Sequence, residues 1–214
     1  MFPSVVLAVA LAAGTAWADP PKFSQGGFVF SVDYGPGIWA LDRAHLAAQV
    51  TDPLAGIFIS DAQSTHTVAL SAGYNIKGHA SLGASFTATG WNVFNPDRGG
   101  AGFLTGFVAW HPLELVWMNK EQRPFPLDAS TSFGVGYGIA GQRTGMDGLV
   151  LQWALKVDYF FARYFGVGLF VRGTFLEWNK FYTNFNDRIG PDLPNGSGGA
   201  FWHLGLALHF RAGD

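Results

Sequence analysis

The feature that most constrains the fold is a regular alternation of large apolar residues with small or polar ones, repeated along the chain after position 26. In Phe28–Tyr34 every second residue is large and apolar, and the residues between them include Ser31 and Asp33. A period of two predicts a β-strand whose two faces meet different surroundings. The chain is therefore expected to fold as β-sheet.

The same alternation predicts seven more strands, each about ten residues long, which is the length of a tilted crossing of the hydrocarbon layer. They are Val68–Ile76, Leu82–Phe86, residues 101–111, Phe133–Ile139, Leu149–Tyr159, Val167–Phe175 and Trp202–Phe210. In residues 101–111, Phe103 and Phe107 compete with Leu104, Val108 and Trp110 for the outward face. The register of that strand stays open.

The chemistry of the two faces indicates which of them meets lipid. The large apolar faces carry no charge, and the opposite faces are dominated by Gly, Ala, Ser and Thr. A soluble sheet needs charged residues on its outer face, yet only 13% of this chain is charged, against about a quarter in typical globular proteins. The pattern predicts an all-β fold, a closed antiparallel transmembrane β-barrel. Eight strands are expected, and ten are an alternative if residues 41–65 and 112–128 supply two more.

The N-terminus predicts export. Val5 to Ala13 is a short apolar core, and Ala16 and Ala18 form the small-x-small pattern of a secretory cleavage site before Asp19. The usual basic residue ahead of the apolar core is absent. We expect residues 1–18 to be a cleaved signal peptide and residues 19–214 to form a single barrel domain.

Connection lengths predict the orientation. With the N-terminus in the periplasm, the connections near residues 40–65, 89–100, 141–148 and 177–199 face outward, and those near 77–80, 112–128 and 160–165 face inward. Outer-membrane barrels have long outer loops and short periplasmic turns. Residues 112–128 depart from that rule and are expected to carry a helical turn.

The strand pattern of residues 26–211 resembles the small outer-membrane barrels of Gram-negative bacteria, such as the OmpA transmembrane domain, OmpX and OmpW. The resemblance implies an outer-membrane location, contact with outer-membrane lipid, and recognition by the barrel assembly machinery through a last strand that ends in an aromatic residue. Here that assembly strand is formed by Trp202, Leu204, Leu206, Leu208 and Phe210. Family members normally stop at the aromatic residue, whereas Arg211 to Asp214 follow it here.

Polar residues on the inward positions are the candidate functional residues. They are Asp33, Lys77, Lys156, Asp158, Arg172, His203, His209 and Arg211. Because the lumen of an eight-stranded barrel is just wide enough for side chains, we expect a paired network that fills the interior instead of an ion path. Arg172 is expected to lie level with His203 and to pair with an acidic residue such as Asp33 or Asp158.

Several functions are disfavoured by residue content. The chain has no cysteine and no basic cluster, which argues against thiol chemistry and nucleic-acid binding. His203 and His209 share a strand face but stand about 20 Å apart, too far to share a metal ion. No catalytic set can be assembled from the sequence, so no enzyme, metal or cofactor is expected. The favoured function is a structural or surface-interaction role, through long outer loops, with an envelope or cell-surface partner. The alternative is a narrow channel for small hydrophobic or polar solutes.

Overall fold

The computed structural model describes residues 26–41, 64–76, 79–90, 100–113, 127–141, 145–162, 164–182, 190, 192–193 and 198–212. These residues form eight strands: β1 Gly27–Leu41, β2 Ser64–Ile76, β3 Ala80–Gly90, β4 Gly100–Trp110, β5 Leu127–Gly141, β6 Gly145–Phe160, β7 Phe165–Tyr182 and β8 Gly198–Ala212. Lys77 and the predicted cleavage residues Ala16, Ala18 and Asp19 lie outside the described residues.

The strands form a closed antiparallel barrel in sequence order. Each strand pairs with the next one, and β1 pairs with β8 from Phe28↔Ala212 to Leu41↔Gly199. The prediction of an eight-stranded barrel is confirmed. The ten-stranded alternative is wrong, because pairing of β1 with β8 completes the ring without further strands.

The register of β4 is settled by burial. Phe103 is fully buried in the lumen, and Phe107 is only partly exposed on the same face. Leu104, Val108 and Trp110 are exposed on the other face. Both faces of this strand carry large residues because one face packs in the interior while the other meets lipid.

The two ends of the barrel differ in their connections. At the inner end, where β1 begins and β8 ends, residues 77–79 and 161–164 are short connections, and residues 111–126 are a longer one that starts with helical Pro112 and Leu113. At the outer end, the connections at residues 42–63, 91–99 and 183–197 are long, and only residues 142–144 separate β5 from β6. No helix among the described residues is long and apolar enough to cross a membrane.

The outer surface is a continuous apolar belt bordered by aromatic residues. Its middle exposes residues such as Leu169 and Leu206, at 64% and 65% of their surface. Near the inner end lie Phe28, Tyr74, Trp110, Tyr159, Phe165 and Phe210; near the outer end lie Tyr137, Phe175 and Trp202. Aromatic girdles on both sides of an apolar band are typical of transmembrane barrels, since such rings favour the membrane–water interface. This surface therefore faces lipid.

The seam between β1 and β8 depends on two glycines. A Cβ placed on Gly35 would overlap the carbonyl oxygen of Leu204, and one on Gly205 would overlap the carbonyl oxygen of Tyr34. The two strands approach closely where both inward positions lack a side chain.

Candidate functional site

The outer third of the lumen is filled by apolar side chains, which we call the outer apolar cluster. Its members are Trp39, Ala101, Phe103, Ala140, Met146, Val150, Leu176, Trp178, Phe181, Leu193 and Phe201. Trp39 stacks on Phe201 with ring centroids 4.6 Å apart, and Phe103 packs against both rings. The sequence-based expectation of a small and polar interior is wrong here, because these inward positions carry large side chains that meet across the lumen.

The middle of the lumen holds three charged side chains, which we call the central ion network. Asp33 accepts hydrogen bonds from Lys156, with the Nζ atom 2.7 Å from Oδ1, and from the guanidinium of Arg172. Lys156 also donates to the Oγ of Ser31 at 2.9 Å, and Arg172 donates to the Oγ1 of Thr87 at 3.3 Å. One carboxylate from β1 thus links cations from β6 and β7.

This network is almost completely shielded from solvent. The side chains of Asp33, Arg172 and Lys156 are 0%, 3% and 13% exposed. Buried charges are tolerated in proteins only when they are paired and hydrogen-bonded, because the loss of hydration is otherwise too large. The pairing therefore holds β1, β6 and β7 together across the lumen.

At the inner end, two histidines pair with two aspartates. His209 on β8 lies with its Nδ1 atom 3.1 Å from Oδ2 of Asp158 on β6. His111, directly after β4, has its Nδ1 atom 2.8 Å from Oδ2 of Asp128 on β5. Arg211 is buried in the same region.

The second of these pairs continues into a longer chain of hydrogen bonds. The Nε2 atom of His111 lies 2.9 Å from the Oγ of Ser81, and the Nδ2 atom of Asn75 lies 3.1 Å from the same oxygen. The backbone N–H of His111 donates to the carbonyl of His79 at 2.9 Å, which holds the backbone of His111 beside the β2–β3 connection. Ser81, His111, Asp128 and Asn75 are all buried.

Between the inner end and the central ion network lies a cavity of about 60 Å³. Its lining combines serine hydroxyls and the cationic ends of the network with a larger apolar surface: Val29, Phe30, Ser31, Ser71, Ser81, Ser85, Phe107, Ala109, His111, Ser130, Ser132, Gly134, Gln152, Lys156, Arg172 and His209. A space of that size, with several polar groups in its wall, holds roughly four water molecules. The cavity lies on the inner side of the ion network.

The polar candidate residues that the structure describes all face the lumen: Asp33, Lys156, Asp158, Arg172, His203, His209 and Arg211. The predicted assembly strand faces the other way, since lipid contacts its residues Trp202, Leu204, Leu206 and Leu208. Its last aromatic residue, Phe210, packs against Phe165 with ring centroids 5.1 Å apart. Of the two partners expected for Arg172, the structure selects Asp33 and pairs Asp158 with His209.

His203 is opposite Arg172 in the β7–β8 register, as expected from the connection between these strands. Its ring lies edge-on to Phe170 at 4.6 Å and stacks on Phe201 at 5.7 Å. Neither ring nitrogen has a hydrogen-bond partner among the described residues. His203 therefore joins the central ion network to the outer apolar cluster by packing.

Sequence reasoning missed the chain formed by Ser81, His111 and Asp128. Ser81 and Asp128 are each the second residue of their strand, and His111 follows the last residue of β4. The signal that would have found them is their common place at the inner ends of three consecutive strands. Among the described residues, no group of three or more metal-ligating side chains is present.

No family model matches the sequence, and no curated protein matches it either. Among solved structures, the chain is similar to Neisserial surface protein A, with a TM-score of 0.56 and 11% identity over 87% of this chain and 99% of that one. The N-terminal β-barrel domain of Pseudomonas aeruginosa OprF has a TM-score of 0.48 and 14% identity over 88% and 100% of the two chains. Ail, the attachment invasion locus protein of Yersinia pestis, has a TM-score of 0.45 and 11% identity over 87% and 99%.

At these identities, the likeness to Neisserial surface protein A concerns the fold alone. Together with the lipid-facing belt, it confirms the expected fold, a closed eight-stranded transmembrane β-barrel.

Proposed function

We propose that this protein is a closed outer-membrane barrel that passes no solute and acts through its outer end, where its long connections meet a partner on the cell surface. The observation that carries the proposal is the double closure of the lumen. The central ion network crosses its middle, and the outer apolar cluster fills its outer third.

The central ion network and the outer apolar cluster block different kinds of solute. An ion that entered the cavity from the inner end would have to displace Asp33 from the two cations that are hydrogen-bonded to it. Beyond them, it would have to shed its hydration among Trp39, Phe103 and Phe201, which offer no charged partner. A small apolar solute is stopped by the charges before it reaches the aromatic rings.

A barrel without a path must act through its ends or its outer surface. Three of the four connections at the outer end are long, at residues 42–63, 91–99 and 183–197, whereas two of the three at the inner end, at residues 77–79 and 161–164, are short. Long loops on a rigid scaffold are the usual place for recognition. We assign the inner end to the periplasm and the outer end to the cell surface, and the lipid-facing β8 to recognition by the assembly machinery.

The absence of cysteine allows a direct test of this orientation. Asp97→Cys places one thiol in the β3–β4 connection, and Gln122→Cys is the matched variant in the β4–β5 connection. Intact cells are treated with a membrane-impermeant maleimide, and the labelling is repeated after lysis. We expect Asp97→Cys to be labelled in intact cells and Gln122→Cys to be labelled only after lysis. Labelling of Gln122→Cys alone in intact cells would reverse the orientation.

The partner role is tested with the same two variants. A photo-crosslinking maleimide is attached to each thiol, and adducts are compared by gel mobility after irradiation of cells. A discrete adduct at position 97 that is missing at position 122 supports surface interaction. If no outer-end position yields an adduct in a scan of all the long connections, the interaction role is wrong.

The channel alternative is supported by the cavity at the inner side of the lumen, whose wall carries both polar and apolar groups. Liposomes that contain the refolded protein are placed in isotonic arabinose or glycine, and swelling is followed by light scattering. We expect the swelling rate of empty liposomes. Swelling that depends on the amount of protein would make the channel the better assignment.

A further inference from the structure

We propose that Ser81, His111 and Asp128 form a serine esterase site at the inner end of the lumen, and that it hydrolyses esters of short acyl chains. The three side chains are linked in the order nucleophile, base and orienting acid, with Oγ to Nε2 at 2.9 Å and Nδ1 to Oδ2 at 2.8 Å. Both separations lie within the range required for an activated serine. The inference goes beyond the surface role and does not depend on it.

The direction of each hydrogen bond follows from the chemistry of the groups. An ionised carboxylate accepts only, so the Nδ1 atom of His111 must carry the proton that binds Asp128. In that neutral tautomer Nε2 is an acceptor, and Ser81 must donate its hydroxyl proton to it. This is the arrangement in which a histidine can remove the proton from a serine.

Asn75 strengthens this arrangement from the other side. Ser81 has a single proton, which His111 receives, so the side chain of Asn75 must turn its NH₂ group towards the serine. Its Nδ2 atom, 3.1 Å from Oγ, donates to the serine oxygen. In a reaction, this amide is near enough to stabilise negative charge that develops on an oxygen bonded to the attacked carbon.

Four strands hold these residues in place. Asn75 is on β2, Ser81 on β3 and Asp128 on β5, and His111 follows β4 and is tied to the β2–β3 connection through the carbonyl of His79. Sites built on strands hold their geometry better than sites on loops. Burial of all four side chains keeps bulk water from competing for their hydrogen bonds.

The cavity beside the serine limits the size of the substrate. Ser81 and His111 both line the space of about 60 Å³, which holds roughly four water molecules. An acetyl group fits such a space, whereas a longer acyl chain would have to lie against the charged ends of Lys156 and Arg172, which line the same cavity. The site therefore selects short acyl groups whose alcohol portion remains towards the inner end of the barrel.

The reaction balances with water as the only co-reactant. The Oγ atom of Ser81 attacks the ester carbon while its proton moves to Nε2 of His111, and the electron pair of the C=O bond moves to oxygen. Collapse restores the C=O bond and breaks the bond to the alcohol, which leaves with the proton from His111. A water molecule then gives a proton to His111 and attacks the acyl-enzyme. The acid is released, and Ser81 recovers its proton.

The test uses the refolded full barrel in lipid, with folding checked by its gel mobility before and after heating. Hydrolysis of para-nitrophenyl acetate and para-nitrophenyl octanoate is followed by absorbance. We expect turnover of the acetate, none of the octanoate, and loss of turnover in Ser81→Ala. Asp128→Asn should lower kcat by about 10³- to 10⁴-fold, because it favours the wrong tautomer of His111.

Thr67→Ala is the matched control, because Thr67 is a buried hydroxyl that hydrogen-bonds to Thr89 and lies outside the cavity that Ser81 and Ser85 line. Its activity should equal that of the wild type. A second readout does not need a variant to fold: mass spectrometry of wild-type protein treated with a fluorophosphonate should find the adduct on Ser81 and not on Ser85. Folded wild type without turnover, or a rate unchanged in folded Ser81→Ala, would overturn the esterase assignment and leave the chain of hydrogen bonds a structural one.

Discussion

The carboxylate of Asp33 is the shared partner of two buried cations, so its removal is the most informative change in the barrel. In Asp33→Ala, Lys156 and Arg172 remain in the lumen without their acceptor, and like charges face each other. Removing one partner of a buried pair destabilises a protein by about 3 to 5 kcal/mol. Because two cations lose their partner here, we expect about 5 kcal/mol for Asp33→Ala.

The isosteric change separates charge from packing. Asp33→Asn keeps the shape of the side chain and one accepting oxygen, so one of its two cations can still be hydrogen-bonded. We expect about 2 to 3 kcal/mol, in the range found for hydrogen bonds to charged groups. Arg172→Ala combined with Asp33→Ala should destabilise less than the sum of the single changes, with a coupling of about 1 to 3 kcal/mol.

The assay is equilibrium unfolding in lipid vesicles, with denaturant titration followed by tryptophan fluorescence. Asp192→Asn is the control, because its pair with Lys180 is 3.7 Å long and largely exposed to solvent. That change should alter the free energy of unfolding by less than about 1 kcal/mol. If Asp33→Ala behaved like Asp192→Asn, the interior would be wet enough to hydrate the two cations, and the closed network would be refuted.

Three further changes test the lipid face, the outer apolar cluster and the seam, each by the same unfolding titration. Leu155→Arg and Leu206→Arg put a charge into lipid and should each lower stability by about 2 to 4 kcal/mol; no change would mean that the faces are misassigned. Phe201→Ala removes a buried ring from the cluster and should lower stability by about 3 to 5 kcal/mol, whereas a wild-type midpoint would show that the cluster is loosely packed. Gly205→Ala should impair closure of the barrel, because its Cβ would overlap backbone of β1, while Gly90→Ala, where a Cβ meets nothing within 4 Å, should be neutral; equal behaviour of the two would refute the close approach.

The fold could be predicted because lipid imposes one pattern on every strand. Outward positions such as Phe133 and Leu204 must be apolar, and the period of two then fixes which residues point inward. This was sufficient to place Asp33, Arg172 and Lys156 in the lumen. It also predicted that Arg172 and His203 lie opposite each other at the same height in the barrel, since a hairpin between adjacent strands fixes their register.

The outer apolar cluster could not be predicted in the same way. Phe103, Phe201 and Trp178 are as large and apolar as the residues that face lipid, so alternation of size disappears where these inward positions occur. The ambiguous register of residues 101–111 was the visible sign of this effect. A stretch that is apolar on both faces indicates lipid on one side and a packed lumen on the other.

The contacts at the inner end depend on distances across several strands. Ser81 and Asp128 lie on β3 and β5, which do not pair with each other, and His111 joins them from the end of β4, the strand between them. His209 and Asp158 lie on β8 and β6, which do not pair with each other. Such pairs become visible only once the closed ring and its stagger are known.

The closed lumen is tested most directly by single-channel recording of the refolded protein in planar bilayers. We expect a flat baseline for the wild type, because the central ion network and the outer apolar cluster block a hydrated path through the part of the barrel that the structure describes. Long-lived openings of constant amplitude, with an ion selectivity that reverses in Arg172→Glu, would show that ions pass this residue and would contradict the closed barrel.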